Sequence, residues 1–157
     1  MARARAIDGL DPARPYPEAA QRILAVRAAE VAEHSAGVLD VADTERLHDM
    51  RVATRRLRAA LEAFEPCFPA RLWRSTLKDV KRLADALGER RDRDVAIASL
   101  ERFADAVPAA DAIGIRSLVA ELRREQATAN EELSRHLTHA RIATLGERLR
   151  ELVESAV

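Results

Sequence analysis

The spacing of the prolines and glycines limits the fold of this chain more than any other feature. The 157 residues include only six Pro and five Gly, which leave long uninterrupted segments rich in Ala, Leu, Val and charged residues. Apolar residues recur every three or four positions in these segments, and none keeps the two-residue alternation of a β-strand. The sequence therefore predicts an all-α protein, an antiparallel bundle of about six helices with a basic hairpin formed by helices 2 and 3.

Prolines, glycines and capping residues set approximate ends for the predicted helices. Residues 1–16 are expected to form an irregular leader, and residues 17–157 a single helical domain. The first expected helix is Pro17–Leu39, and the second is capped by Asp43 or Thr44 and stopped by Pro66. The third covers 70–87 and is closed by Gly88, the fourth is capped by Asp92 and runs to about Ala106, the fifth is capped by Asp111 and runs to about Leu137, and the sixth is Arg141–Ser155.

Cysteine content and hydropathy bear on where the protein resides. Cys67 is the single cysteine, so no intramolecular disulfide can form. The opening MARARAIDGL lacks the apolar run of a signal peptide, and no segment approaches the roughly 20 apolar residues of a membrane span. We expect a cytoplasmic protein.

Charge is unevenly distributed along a chain whose formal net charge is zero. Residues 46–94 hold thirteen basic and eight acidic side chains, a net +5, whereas residues 1–45 and 95–157 carry net charges of −3 and −2. Of the 26 basic residues, 24 are arginine, which makes bidentate contacts with phosphate, although genome base composition can also favour arginine. The position of the excess, more than its arginine content, indicates an anion-binding surface in the middle third of the chain.

Predicted helix 2 separates into a charged arc and an apolar arc when successive residues are turned by about 100°. With His48 at zero, three arginines lie within about 80° of it: Arg51, Arg55 and Arg58. These arginines repel one another at three- and four-residue spacing, and we expect no carboxylate on the same arc to relieve them. A helix face with charges of one sign indicates that it binds a ligand, because a face that serves only solubility usually mixes acidic and basic residues.

Predicted helix 3 repeats the pattern, with four basic residues within about 60° of Lys78: Arg71, Arg74, Lys81 and Arg82. The short turn Pro66–Pro69 makes helices 2 and 3 antiparallel, so the two basic stripes can run side by side. From His48 to Arg58 the strip is about 15 Å long at 1.5 Å per residue. That length suits a linear polyanion held by many individually weak contacts.

Two sequence blocks resemble the signatures of the CHAD domain, the conserved histidine α-helical domain. LHDMRVATRRLRAALEAF, Leu47 to Phe64, is similar to the family's first signature helix, with its histidine, the arginine three positions later and the RRLR that follows. LADALGERRDRDV, Leu83 to Val95, is similar to the second block, a Leu-Gly helix end followed by R-D-x-D-V. The resemblance implies a non-catalytic helical protein, without cofactor or metal, that binds inorganic polyphosphate and can associate with polyphosphate granules.

The resemblance also implies which residues bind. Binding roles fall to His48, Arg51, Arg55, Arg58, Lys78 and Lys81, and supporting roles to Arg56, Arg74, Arg82 and Arg91. The family's domain is commonly about twice this core and carries a second basic helix, so the chain resembles a half-length member or a fragment. One hypothesis is that a homodimer supplies the second basic wall.

An enzyme of another class is the first alternative. His48-Asp49 is the dipeptide of HD-type metal-dependent phosphohydrolases, and further ligands can be imagined at His34, Asp92 and Asp94. A divalent cation there would be repelled by the neighbouring arginines, and Asp92 and Asp94 are better explained as helix caps that orient Arg91 or Arg51. A weaker metal pattern joins His136 and His139 with Glu132 one turn earlier.

A nucleic-acid-binding helical module is the second alternative, because an arginine strip attracts DNA and RNA as well. Proteins that bind single strands interleave aromatic side chains for base stacking. Here Trp73 and Phe64 fall on the apolar arcs, and Tyr16 lies in the leader. Polyphosphate is therefore the preferred ligand.

Overall fold

The computed structural model describes residues 3–157, and within them it contains five α-helices and no strand. The helices are α1 (Tyr16–Glu33), α2 (Thr44–Ala63), α3 (Ala70–Ala106), α4 (Ala109–His136) and α5 (His139–Glu154). A 3-10 turn, Glu65–Cys67, joins α2 to α3. The predicted all-α bundle is confirmed, with five helices where about six were expected.

The difference in number arises at Gly88, where the sequence predicts a helix end. Gly88 lies in the interior of α3, which continues without a break through Asp92 for 37 residues in all. An interior glycine destabilises a helix by only about 1 kcal/mol, and burial of the neighbouring Leu83 and Leu87 side chains, at about 1.5–3 kcal/mol each, outweighs this cost. The predicted third and fourth helices are therefore one helix, and neither Asp92 nor Asp94 is a helix cap.

The first helix is shorter than predicted, since α1 ends at Glu33 and not near Leu39. The chain turns at Gly37, whose φ of +73° lies in the left-handed region that side chains with a Cβ disfavour. Val38 then buries its side chain in the core. Residues 3–15 form no helix, and the backbone N–H of Arg5 donates to Glu30 Oε1 on α1 at 2.7 Å.

One hydrophobic core joins α1, α2, the first part of α3, α5 and the end of α4. Among its fully buried side chains are Leu24, Leu47, Leu57, Leu87, Leu133 and Leu152. Burial of a leucine contributes about 1.5–3 kcal/mol. Because these leucines come from five helices, packing of the core determines which face of each helix is exposed to solvent.

The second half of α3 pairs with α4 as a helical hairpin beyond this core. Its buried apolar residues lie outside the main core cluster: Ile97, Ala104, Ala112 and Val119. Phe103 and Ile113, in the same hairpin, are exposed. None of the helices described is long and apolar enough to cross a lipid bilayer.

Candidate functional site

Two hydrogen bonds fix the alignment of α2 with α3. Near the turn, the Trp73 indole N–H donates to Leu61 O at 2.8 Å. At the far end, Arg91 Nη1 donates to Thr44 O at 3.3 Å. The helices therefore run antiparallel along the full length of α2, which confirms the predicted basic hairpin.

Cationic residues that this hairpin leaves partly or fully accessible to solvent lie on adjoining faces of α2 and α3. We give the name cationic strip to seven of these residues, of which Arg51, Arg58 and Lys81 are half-buried and the other four are exposed: Arg51, Arg55 and Arg58 on α2, and Arg74, Lys78, Lys81 and Arg82 on α3. The four α3 members line one shallow groove of about 320 Å³. Asp85 is the one carboxylate among the groove residues.

Glu62 partly neutralises one end of the cationic strip. Its Oε1 accepts from Arg58 Nε at 3.0 Å and lies 3.4 Å from Lys81 Nζ. The hydrogen bond from Arg58, and then the charges of Arg58 and Lys81, hold the pKa of Glu62 below its ordinary value. The expectation that no carboxylate shares the charged arc of α2 is therefore wrong. Because Glu62 contacts both Arg58 and Lys81, it links the basic residues of α2 to those of α3.

Four other residues of the cationic strip have no acidic partner among the described residues. Within the part of the chain that the structure describes, no ion pair involves Arg51, Arg55, Arg74 or Lys78. Arg74 Nε instead donates to Ala70 O at 3.1 Å. Like charges at three- and four-residue spacing destabilise a helix by a few tenths of a kcal/mol per pair. A bound anion would remove that repulsion.

Arg56, predicted to support binding, faces the opposite edge of α2. Its charge acts on Glu30 of α1, a buried carboxylate. Burial alone would raise the pKa of Glu30, but the N–H of Arg5, the guanidinium of Arg27 and the charge of Arg56 together lower it. Arg27 Nη1 lies 2.8 Å from Glu30 Oε2. Arg56 is therefore not part of the cationic strip.

His48 and Arg91, also predicted at the site, are half-buried near the start of α2. Arg91 ties α3 to the first turn of α2 through its bond to Thr44 O. His48 occupies the next turn of α2, on the arc of Arg51 and Arg55. Both residues lie at the end of the cationic strip that is remote from Glu62.

Sequence reasoning missed a buried polar network behind the R-D-x-D-V block. Arg90 Nε donates to Asp94 Oδ1 at 3.0 Å, and Arg90 Nη1 donates to Asn130 Oδ1 at 2.7 Å. Gln126 Nε2 donates to the same Asp94 oxygen at 2.6 Å, and Asn130 Nδ2 donates to Leu39 O at 3.0 Å. The network joins α3 and α4 to the loop after α1. It could have been found from the spacing, because Arg90 and Asp94 continue the apolar stripe at three- and four-residue steps.

The residues proposed as metal ligands are not brought together. Across residues 3–157, no group of three or more His, Cys, Asp or Glu side chains has the arrangement of a metal site. Asp94 is engaged by Arg90, whereas Asp92 is exposed to solvent. The ligand set of the HD-type hypothesis is therefore not assembled, and neither is the pattern of His136, His139 and Glu132.

Comparison with known proteins identifies the family. Searches of curated proteins and of solved structures found no match. The family model described as the CHAD domain matches residues 22–157, which include both signature blocks and the entire α2–α3 hairpin. This match covers most of the 157 residues. The chain belongs to the CHAD domain family.

Proposed function

We propose that this protein binds inorganic polyphosphate through the cationic strip and catalyses no reaction on it. CHAD domains in general bind polyphosphate. The observation that carries the proposal is that basic stripes on two aligned helices adjoin, with Arg51, Arg55 and Lys78 free of ion pairs among the described residues. His48 and Arg91 extend the surface at one end, and Arg56 supports it only indirectly, from the far edge of α2.

The dimensions of the cationic strip favour a linear ligand over a single phosphate. Arg51 to Arg58 spans about 10 Å along α2, and Arg74 to Arg82 about 12 Å along α3. One phosphate group could reach only a few of these side chains. An exposed charge contact contributes at most about 1 kcal/mol, so useful affinity requires many contacts along one chain.

The aromatic side chains near the hairpin argue against recognition of nucleobases. The Trp73 indole is half-buried and bonded to the α2 backbone, and Phe64 packs against Tyr16 with ring centroids 5.0 Å apart. Neither ring lies on the cationic strip. Competition tests this point: duplex DNA or RNA should not displace bound polyphosphate at equal phosphate concentration.

The proposal is tested by titrating long-chain polyphosphate at several salt concentrations against the triple variant R51A/R55A/K78A. Loss of three contacts should weaken binding up to about 100-fold. The slope of log K against log salt should fall by about 2, since each phosphate contact contributes about 0.7 for a single-stranded polyanion.

The matched control is the triple variant R102A/R116A/R150A, which removes the same charge from exposed positions away from the cationic strip. It should bind like the wild type. Equal affinity and equal salt slope for the two triple variants would place the ligand elsewhere. Localisation offers a second test, because polyphosphate binding should carry the protein to cytoplasmic polyphosphate granules in cells that form them.

A further inference from the structure

A second group of cationic side chains lies on the other side of α3, facing α5. The two helices are antiparallel, since the backbone N–H of Val157 donates to Cys67 O at 3.0 Å and Arg148 pairs with Asp79. A cleft of about 770 Å³ opens between them at the end of α4. This volume is typical of sites that bind small molecules. The charged and titratable residues of its lining are Asp79, Arg82, His136, Arg141 and Arg148.

Positive charge exceeds negative charge in this cleft. Its single carboxylate, Asp79, pairs with Arg148 and lies 3.9 Å from Arg82 Nη1. Arg141 is exposed and has no ion pair within residues 3–157. Three guanidinium groups against one carboxylate give a formal charge of +2 with His136 neutral. A concave surface concentrates the field of such charges and attracts anions.

Arg82 joins this cleft to the cationic strip. It lines both the cleft beside α5 and the shallow groove that contains Arg74 and Lys78. The α3 helix therefore lies between two basic surfaces, one shared with α2 and one shared with α5. Arg82 is therefore a cationic residue common to both surfaces.

We propose that polyphosphate bound on the cationic strip continues past Arg82 into the cleft, where Arg141 and Arg148 bind further phosphates. This inference rests on the proposed function of the cationic strip. It gives α5 of the same chain the role that sequence analysis assigned to a second copy, namely the second basic wall. Arg141 and Arg148 share one face of α5 because seven residues are close to two helical turns.

Asp79 lowers the affinity of the cleft for phosphate, because phosphate groups must compete with its carboxylate for Arg148 and Arg82. Replacing it in D79N removes the competing charge and keeps the side-chain size. We expect this variant to bind long-chain polyphosphate about threefold more tightly. In an R148A background the same replacement should have a smaller effect, because one of the two released arginines is absent.

The direct test compares R141A with R150A by titration of long-chain polyphosphate at several salt concentrations. Both arginines are exposed on α5, but they lie about 180° apart around the helix. R141A should lose about threefold in affinity and about 0.7 in salt slope, whereas R150A should match the wild type. Helical content by circular dichroism verifies that both variants fold.

The outcomes separate this inference from the proposed function. If R141A keeps the affinity and salt slope of R150A while R51A/R55A/K78A loses binding, the cleft is not used and the cationic strip alone binds the ligand. If the triple variant binds like the wild type, the proposed function fails and this inference fails with it. Weaker binding by both R141A and the triple variant supports the continuous path.

Discussion

Replacing Asp94 by alanine should destabilise this protein strongly, because the change leaves the Arg90 guanidinium buried without its carboxylate. Arg90 is 0% exposed and Asp94 is 4% exposed. The variant D94A loses the 3.0 Å bond from Arg90 and the 2.6 Å bond from Gln126. Removing one partner of a buried ion pair costs about 3–5 kcal/mol. That is a large fraction of the roughly 5–15 kcal/mol by which a domain is stable.

Urea unfolding followed by circular dichroism measures this loss. The control is D92A, two residues away on α3 but exposed, which should change stability by no more than about 0.5 kcal/mol. The double variant R90M/D94L should recover most of the loss, since removing both charges avoids the unpaired ion. A D94A protein within about 1 kcal/mol of the wild type would refute the reasoning from burial.

Three further predictions concern substitutions of single residues. The variant E62Q should bind polyphosphate about two- to fivefold more tightly in calorimetric titration, because it releases two cations, whereas E65Q should have no effect. The lowered pKa of Glu30 means that its stabilising contribution is complete above the ordinary value of 4.5 and is lost as pH falls through the folded-state pKa. The wild type should therefore lose more stability than E30Q on acidification, as measured by unfolding at neutral and acid pH. At φ +73°, G37A should destabilise by about 1–2 kcal/mol. In contrast, G114A, in a helix with open space around it, should stabilise by up to about 1 kcal/mol in thermal unfolding; equal shifts for the two glycine variants would contradict the backbone argument.

The α2–α3 hairpin could be predicted from sequence because its determinants are local. Pro66 and Pro69 set the turn, and the apolar periodicity of each helix sets which face is buried. The continuity of α3 through Gly88 could not be predicted in this way. A glycine that ends one helix and a glycine inside another have the same local sequence signal, and here tertiary packing of Leu87 and Arg90 decides between them.

The positions of the site arginines followed from helical periodicity, but their charge partners did not. Glu62 lies about 40° from His48 on a helical wheel and so belongs to the charged arc. Its sharing between Arg58 and Lys81 depends on how closely α2 and α3 approach. The pairing of Asp79 with Arg148 likewise joins residues 69 positions apart. Such pairings are properties of the packed bundle, not of any one segment.

The long α3 helix passes through two environments, and its resistance to local opening should differ along its length. Its first half is held by a core to which five helices contribute, whereas the buried apolar residues from Ile97 onward lie outside that core, in the hairpin with α4. The hairpin tip can therefore unravel without exposing Leu57 or Leu87 to water, and its amide protons should exchange with solvent sooner than those near Val80. The α3 residues of the cationic strip, Arg74, Lys78, Lys81 and Arg82, all lie in the first half of the helix. We therefore expect their backbone to stay in place when the far end of α3 opens.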